Sequence, residues 1–333
     1  MKTYRLQTIG SIDGLELCEE AVPTPRASEV LVCIKANSLN FRDFAILQGW
    51  LPFGVEEGRI PLSDAAGVVE AVGPSVTRFS VGDRVINSTM PNWFGGPFRE
   101  HPQQYGLHLD GWLAEYRVVS EQELVAMPDF LTFAEAATLP CAALTAWSAL
   151  AHAGPGHTVL TQGSGGVSLF AVQFAQAAGA HVIATTSSDA KAERLRALGA
   201  HHVLNYREQA DWGEQTKALT GGRGVDRVIE VGGPGTLAQS IKAVAVGGQV
   251  SMVGVLASGE MPSFMDMFIS QATFQPIASG SRRDLEDMLR AVEQHQLHPV
   301  IDSSFPFEDT KAAWARFAER DLYGKVVITQ GEG

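Results

Sequence analysis

The 333-residue sequence predicts an α/β protein with two domains. Residues 1 to about 125 consist of short strand-like runs broken by Gly, Pro and Asp, whereas the following residues, up to 280, alternate strand-like and helix-like segments. The third observation is "VLTQGSGGVSLFAVQFAQAAGA", residues 159–180, where an apolar run turns on glycines into a helical pattern. These observations predict a barrel-like β domain followed by a doubly wound parallel sheet.

The first segment, residues 1–126, contains the strand signals. Residues 29–40, "EVLVCIKANSLN", are apolar and β-branched, which is typical of a buried strand. Residues 65–85 predict two strands separated by Gly73-Pro74 and Gly82-Asp83. Breaks at this spacing favour an all-β unit.

The second segment, residues 127–280, contains five strand-like runs that are apolar on both faces, as expected of a parallel sheet covered by helices on both sides. The third segment, residues 281–333, lacks another such repeat. It has a helical stripe at 285, 288, 289 and 292, a second helix at 308–320 and the closing strand "GKVVITQ". We expect this tail to pack back on the first segment.

Composition limits the class of partner. Lys and Arg number 25 against 37 Asp and Glu, a net charge of −12, whereas nucleic acids and anionic membranes select basic surfaces. The sequence shows no apolar run of about 18 residues and no apolar core of a signal peptide. Its three cysteines are widely spaced, which predicts no disulfide framework. We therefore expect a cytoplasmic protein whose main partner is neither a nucleic acid nor a membrane.

The glycine turn after Gln162 predicts a dinucleotide site. Gly163 allows the turn and Gly165 lets the backbone approach a phosphate, while Ser168 replaces the third glycine of the Gly-x-Gly-x-x-Gly pattern. The N-terminus of the next helix offers unpaired N–H groups to a pyrophosphate. A purely structural turn is the alternative. The turn residues assigned to the cofactor are Gly163, Ser164, Gly165, Gly166 and Val167.

The end of the next predicted strand, "HVIATT", distinguishes the two nicotinamide cofactors. NAD-specific folds usually have an acid there for the ribose 2′-hydroxyl, but this strand ends in Thr186 and continues with Ser187, Ser188 and, later, Lys191. Hydroxyls and a lysine suit a 2′-phosphate because charge-assisted hydrogen bonds are strong. A helix cap with a solvated lysine is the alternative. We predict NADPH, with NADH less favoured.

Stretches including "NSLNFRDFAILQG", "GWLAEYRVV", "AATLPCAALTAWSAL" and "GKVVI" resemble the medium-chain dehydrogenase/reductase superfamily over essentially the whole chain. The resemblance is to its zinc-free quinone oxidoreductase-like and alcohol dehydrogenase-like branches. It implies a GroES-like β-barrel catalytic domain (1–126), a Rossmann dinucleotide-binding domain (127–280) and a C-terminal segment (281–333) that returns to the catalytic domain. It also implies a homodimer paired through strand edges, for which we predict "ATFQPIA", residues 272–278.

The resemblance implies roles for residues at matching positions. In zinc-free NADPH-dependent members a lysine and a tyrosine hold the 2′-phosphate, and Lys191 and Tyr206 match them. An arginine near the C-terminus often assists, and Arg320 is the match. Asn40 and Thr145 match positions against the nicotinamide. Tyr206 as a surface aromatic, and Thr145 as a helix residue bonded to its own backbone, are the alternatives.

The resemblance further implies that no catalytic zinc is held. Zinc-dependent members bind catalytic zinc with a Cys, the His of a Gly-His-Glu motif and a second Cys. This chain has Asn40 at the first position and Ser63-Asp64 in place of the His-Glu pair, and it retains only the third ligand, Cys141. Amide and hydroxyl groups are poor zinc ligands. The four-cysteine structural lobe is also missing, since residues 91–111 contain no cysteine; we interpret them as a loop beside the substrate. The candidates for an apolar substrate lining are Trp50, Phe53, Trp93 and Phe94.

Without a Lewis acid, the substrate must carry its own electron sink. We therefore predict an NADPH-dependent, zinc-independent oxidoreductase that transfers hydride to quinones, enones or related carbonyl compounds. The candidate catalytic residues are Asn40, Asp43 and Ser63, with Asp43 as a helix cap or a partner of Arg42 as the alternative. The other hypotheses are an alcohol/aldehyde dehydrogenase of the same superfamily and a non-catalytic, crystallin-like cofactor-binding protein.

Overall fold

The computed structural model describes residues 1–51, 54–97 and 100–331, so the predicted lining residue Phe53 lies outside the described residues. The chain divides into two compact units, Met1–Leu144 with Ser281–Gly333, and Thr145–Gly280. The first unit extends past the predicted boundary at residue 126. Residues 127–144 belong to it because this segment is tied to the first sheet, for example by the Cys141 N–H, which donates to Asp64 at 3.2 Å.

The secondary structure elements are numbered in chain order. The strands are β1 (Lys2–Leu6), β2 (Leu15–Glu19), β3 (Glu29–Ser38), β4 (Asp64–Val72), β5 (Arg84–Asn87), β6 (Tyr116–Ser120), β7 (Leu124–Ala126), β8 (Thr158–Gln162), β9 (His181–Thr186), β10 (His202–Asn205), β11 (Val225–Glu230), β12 (Val244–Met252), β13 (Thr273–Pro276), β14 (Ile301–Pro306) and β15 (Lys325–Thr329). The α-helices are α1 (Phe41–Leu47), α2 (Phe133–Ala136), α3 (Leu144–Ala149), α4 (Gly166–Ala177), α5 (Asp189–Leu198), α6 (Trp212–Leu219), α7 (Leu237–Ala243), α8 (Phe264–Ser270), α9 (Arg282–His295) and α10 (Thr310–Ala318).

The first unit is built on a mixed sheet with strand order β14-β15-β3-β4-β5-β7, in which β6 also pairs with β3; β1 and β2 form a separate hairpin. Alternate residues of β3, among them Val32 and Ile34, point into a core that includes Trp112. A second core packs Trp314 of α10 against Val326 of β15 and residues of α1. The closing segment therefore completes the first unit, because β15 pairs directly with β3.

The second unit is a parallel sheet with strand order β10-β9-β8-β11-β12-β13, which confirms the predicted α/β class. Every residue of β8 is buried, as expected of a strand covered on both faces. Gln162 pairs in register with Thr185, and Asn205 with Thr186. The carboxyl ends of β8, β9 and β10 consequently meet at one edge, where ligands of such sheets bind.

Helix α7 begins only at Leu237, because Gly233–Gly235 forms a 3₁₀ turn around Pro234. One predicted helix is shorter than expected. Residues 308–320 give α10 only from Thr310, after a 3₁₀ turn at Phe307–Asp309. In the described parts of the chain, no helix has both the length and the apolar character that crossing a bilayer requires.

Candidate active site

A cluster of buried polar side chains lies beside the end of β3 in the first unit. Asn40 follows β3, Asp64 begins β4 and Lys325 begins β15, and these residues are 8%, 0% and 4% exposed. The strand register explains the grouping, because Ser38 of β3 lies opposite Asp64 on one side and Val327 on the other. Buried charged groups need partners, so their hydrogen bonds define the cluster.

The side chain of Asn40 joins two charged groups. Its Oδ1 accepts a hydrogen bond from Nζ of Lys325, and its Nδ2 donates to Oδ2 of Asp64 at 2.9 Å. Nδ2 also lies 3.4 Å from Oγ of Ser63, the longer and weaker of its two contacts. The amide of Asn40 is thus fully hydrogen-bonded within the protein.

The side chain of Ser63 is hydrogen-bonded to the adjacent residue, Asp64. It is fully buried, and its Oγ donates to Oδ1 of Asp64 at 2.8 Å. Asp64 thereby accepts hydrogen bonds on both carboxylate oxygens, the other from Asn40. Ser63 and Asn40, two of the three predicted catalytic residues, are brought together by this one carboxylate.

Asp43, the third predicted catalytic residue, makes the two structural contacts named as the alternative. Its Oδ2 accepts from the backbone N–H of Asn40 at 3.0 Å, and its Oδ1 accepts from Arg42 at 2.9 Å. Burial raises the pKa of Asp43 to about 6, although Arg42 opposes the shift. A catalytic role for Asp43 stays a prediction.

Charge and burial act in opposite directions on Asp64 and Lys325. Burial raises the pKa of Asp64, and the Lys325 ammonium is the main influence that lowers it again. Burial likewise lowers the pKa of Lys325, with the Asp64 carboxylate as the main opposing influence. Each charge therefore stabilises the ionised form of the other.

The donor set does not fit a zinc ion. Oδ1 of Asn40 already accepts from a lysine ammonium, and a cation in its place would face that positive charge. Two of the three positions that bind zinc in zinc-dependent members carry Asn40 and Ser63, whose amide and hydroxyl groups are poor zinc ligands. The described residues contain no group of three or more His, Cys, Asp or Glu side chains placed to hold a metal ion.

The glycine turn of the second unit has the predicted form. Gly163 has φ +74° and donates its N–H to the carbonyl of Thr185 at 2.9 Å, and Gly165 precedes the first turn of α4. Ser168 is buried, and its hydroxyl donates to the carbonyl of Gln162 at 2.6 Å. Ser168 therefore joins α4 to β8 by a hydrogen bond, whereas a glycine at this position would only allow the two elements to pack closely.

This turn has room for a phosphate. A Cβ atom added at Gly163 or at Gly165 would meet no atom of the described structure within 4 Å. At the end of the adjacent strand, the hydroxyl of Thr186 is buried and has no hydrogen-bond partner among the described residues. An open cradle beside an unpaired buried hydroxyl fits a dinucleotide.

The residues predicted to hold the 2′-phosphate come together in part. Tyr206 follows β10 and donates its N–H to the carbonyl of Thr186, and its ring is half-exposed. Ser188 caps α5, accepting from the N–H of Lys191 at 3.4 Å, which was the alternative role for this serine. The predicted phosphate residues thus lie at or just after the carboxyl ends of two neighbouring strands. They are Thr186, Ser187, Ser188 and Lys191 for β9 and Tyr206 for β10.

Two further predicted cofactor residues have other surroundings. Arg320 belongs to the first unit, where its guanidinium lies over the ring of Phe41 at 5.0 Å. Thr145 is buried in α3 of the second unit. The roles of Arg320 at the phosphate and of Thr145 at the nicotinamide stay predictions.

Sequence reasoning missed Lys325 and Glu230. Lysine is almost never fully buried, so a lysine opening the apolar run "KVVI" was a usable signal. Glu230 closes the apolar strand β11, and its carboxylate accepts from the N–H groups of Gly232 and Gly233 at 2.8 and 2.9 Å. It also accepts from Gln162 at 2.8 Å, so it ties the loop after β11 to the strand before the glycine turn.

Two family descriptions match the chain in separate regions. Residues 26–129 match the alcohol dehydrogenase GroES-like domain, and residues 166–294 match the zinc-binding dehydrogenase family. The second match begins after Asn40, Ser63, Asp64 and Cys141 and does not include those positions.

Relatives cover nearly the whole chain. A zinc-type alcohol dehydrogenase-like protein of Schizosaccharomyces pombe is 40% identical, with 96% of each chain covered. A chloroplast envelope quinone oxidoreductase homolog of Arabidopsis thaliana is 31% identical, covering 96% of this chain and 95% of its own. A solved NAD-dependent alcohol dehydrogenase is 34% identical with a TM-score of 0.92, covering 99% of this chain and 100% of that chain. From both domains and these full-length relatives, the chain belongs to the medium-chain dehydrogenase/reductase superfamily and is an NAD(P)-dependent oxidoreductase.

Proposed function

We propose that this protein is an NADPH-dependent, zinc-independent reductase of quinones, enones or related carbonyl compounds. The observation that carries the proposal is the hydrogen bond from the Lys325 ammonium to Asn40, at the position where zinc-dependent relatives have their first cysteine. Because the Lys325 ammonium is hydrogen-bonded at this position, we infer that no metal ion acts there as a Lewis acid to stabilise the alkoxide that alcohol oxidation requires. A conjugated acceptor needs none, because its own π-system takes up the electron pair.

The second unit supports NADPH as the electron source. When bound, the nicotinamide supplies hydride to the substrate. Open space at Gly163 and Gly165 accommodates a pyrophosphate, and the hydroxyls and lysine after β9 suit a 2′-phosphate. The nearest acid in the sequence, Asp189, is the first residue of α5 and accepts a hydrogen bond from Asn205 at 3.3 Å.

The protein's own contribution in the first unit is orientation and charge. Asn40 is held by Lys325 and Asp64, and its Nδ2–H toward Ser63 forms the weaker contact, at 3.4 Å. This hydrogen is the one most easily given to a carbonyl oxygen that gains negative charge during reduction. The proposed role of Asn40 is to bind that oxygen or to position the nicotinamide ring.

A turnover screen with elemental analysis tests the function. We expect the purified protein to oxidise NADPH with an enone or a quinone, to oxidise simple alcohols poorly, and to contain no stoichiometric zinc. About one zinc per chain after mild chelation, together with oxidation of simple alcohols only, would support the alcohol dehydrogenase alternative. Cofactor binding without turnover on any substrate would support the crystallin-like alternative.

The cofactor preference tests the 2′-phosphate residues. Lys191→Ala should lower the ratio of NADPH to NADH affinity by roughly 10- to 100-fold, since a hydrogen bond to a charged group contributes about 1.5–3 kcal/mol. Tyr206→Phe should lower it less, because a phenol brings no charge. Lys217→Ala, on α6 of the same unit, is the control and should leave the ratio unchanged. Titration by fluorescence measures it, and a wild-type preference for NADH would contradict the assignment.

We further propose a reducing, cytoplasmic environment, which is consistent with the three free cysteines.

We also propose that the protein is a homodimer. Strand β13 lies at the edge of the parallel sheet, and the preceding helix α8 exposes Phe264 and Ile269, which are 72% and 68% exposed. An apolar helix beside an edge strand suits a second copy of the chain. Light scattering should give twice 35.7 kDa at micromolar concentration. Ile269→Arg should lower it, unlike Val81→Arg in the first unit, and a monomeric wild type would reject the dimer.

A further inference from the structure

We propose that Lys325 is the positioning residue of the buried polar cluster, where its ammonium and the Asp64 carboxylate hold the Asn40 amide between them and supply a fixed positive charge in place of a metal ion. This rests on the proposed function above. We call Lys325, Asn40 and Asp64 the amide relay. It is a chain of two hydrogen bonds, from Nζ of Lys325 to Oδ1 of Asn40, and from Nδ2 of Asn40 to Oδ2 of Asp64 at 2.9 Å.

The chemistry of the two ends fixes the orientation of the amide. An ammonium group can only donate hydrogen bonds and an ionised carboxylate can only accept them. The amide oxygen must therefore face Lys325 and the amide nitrogen must face Asp64. Both charges polarise the amide in the same direction, which strengthens both hydrogen bonds.

The charges around the relay show why this lysine is needed. Two buried carboxylates lie here, and Arg42 already pairs with Asp43 at 2.9 Å. Lys325 is the cation that faces the second carboxylate through Asn40. Removing it would leave Asp64 buried without a compensating charge, which is strongly unfavourable.

The backbone fixes the place of the ammonium. Gly324 has φ +111°, and a Cβ there would lie 2.3 Å from the carbonyl oxygen of Val300, so glycine is required before Lys325. Nζ of Lys325 also donates to the carbonyl of Leu39 at 2.6 Å, next to Asn40. A lysine normally extends its ammonium to solvent, but this one is anchored inside by two acceptors on neighbouring residues.

The test is a double-mutant cycle of Lys325→Met, Asp64→Asn and the double variant, with Lys311→Met, an exposed lysine of α10, as the control. Urea unfolding midpoints, the Kd for NADPH and the kcat for the acceptor used by the wild type are measured for each. We expect both single variants to unfold at lower urea and the double variant to recover most of that loss, because it has no uncompensated charge. The control should behave like the wild type in every measurement.

Kinetics separate positioning from charge balance. In Lys325→Met we expect kcat to fall about 10- to 100-fold with the Kd for NADPH nearly unchanged, and the double variant to keep this low kcat despite its recovered stability. Recovery of kcat together with stability would overturn the positioning role. Additive losses in the unfolding midpoints would overturn the relay itself.

Failure of the proposed function has a different signature. A wild type that reduces no enone or quinone would contradict the proposed reaction but would leave the unfolding cycle measurable. The cycle then decides the relay by itself, since coupled midpoints support it and additive midpoints overturn it.

Discussion

Gly165→Val should weaken NADPH binding by at least about 100-fold, a loss of about 2.7 kcal/mol of binding free energy. The protein should keep its fold. The added side chain would enter the open space at the start of α4, where the pyrophosphate is proposed to lie and where no described atom comes within 4 Å of a Cβ. Gly165 has φ −76° and ψ 171°, a conformation open to any residue. The substitution should therefore cost little more than the roughly 1 kcal/mol of a poorer N-cap.

The control for position 165 is Gly154→Ala. It is compared with Gly165→Ala, so that both glycines gain the same methyl group. Gly154 lies before β8 in the same unit, and a Cβ there would make only an ordinary contact, 3.8 Å from the carbonyl of Ala178. Isothermal titration gives the affinity and thermal unfolding gives the stability of each variant. Unchanged NADPH binding in Gly165→Val would show that the turn is structural only, which was the alternative from the sequence.

Asn40→Ala should lower kcat by roughly 100-fold, which is the scale for losing one preorganised hydrogen-bond donor in an active site. The loss should fall on kcat more than on NADPH affinity, because orientation acts mainly on the transition state. Stability should also fall, since Lys325 and Asp64 would each lose a buried partner. Steady-state kinetics and fluorescence titration of the same preparation measure the two effects.

Asn37→Ala separates stability from turnover in that experiment. Asn37 is also a buried asparagine near the end of β3, but its amide donates to the backbone carbonyls of Asp64 and Trp112, at 3.1 and 3.0 Å. Its loss should lower the unfolding temperature with a much smaller effect on kcat. Equal losses of kcat in the two variants would contradict a specific role for Asn40.

Much of the second unit could be predicted from local sequence. The run "HVIATT" predicts a strand, and the structure has β9 over the same residues, His181–Thr186. Such elements depend on apolar periodicity and on glycine at a left-handed turn, as at Gly163, which are properties of neighbouring residues. The boundary at residue 126 could not be found this way, because residues 127–144 belong to the first unit through contacts with distant strands.

The sequence by itself determined the α/β class, the glycine turn, the hydroxyl residues and lysine that follow strand β9, and the replacement of two zinc-ligand positions by Asn40 and Ser63. Only the tertiary structure decided what fills that part of the first unit. Lys325 lies 285 residues from Asn40 along the chain, and it reaches the amide because β15 returns to pair with β3. Hydrogen bonds between side chains depend on ångström distances that long-range strand pairing sets, and no local pattern of residues encodes that pairing.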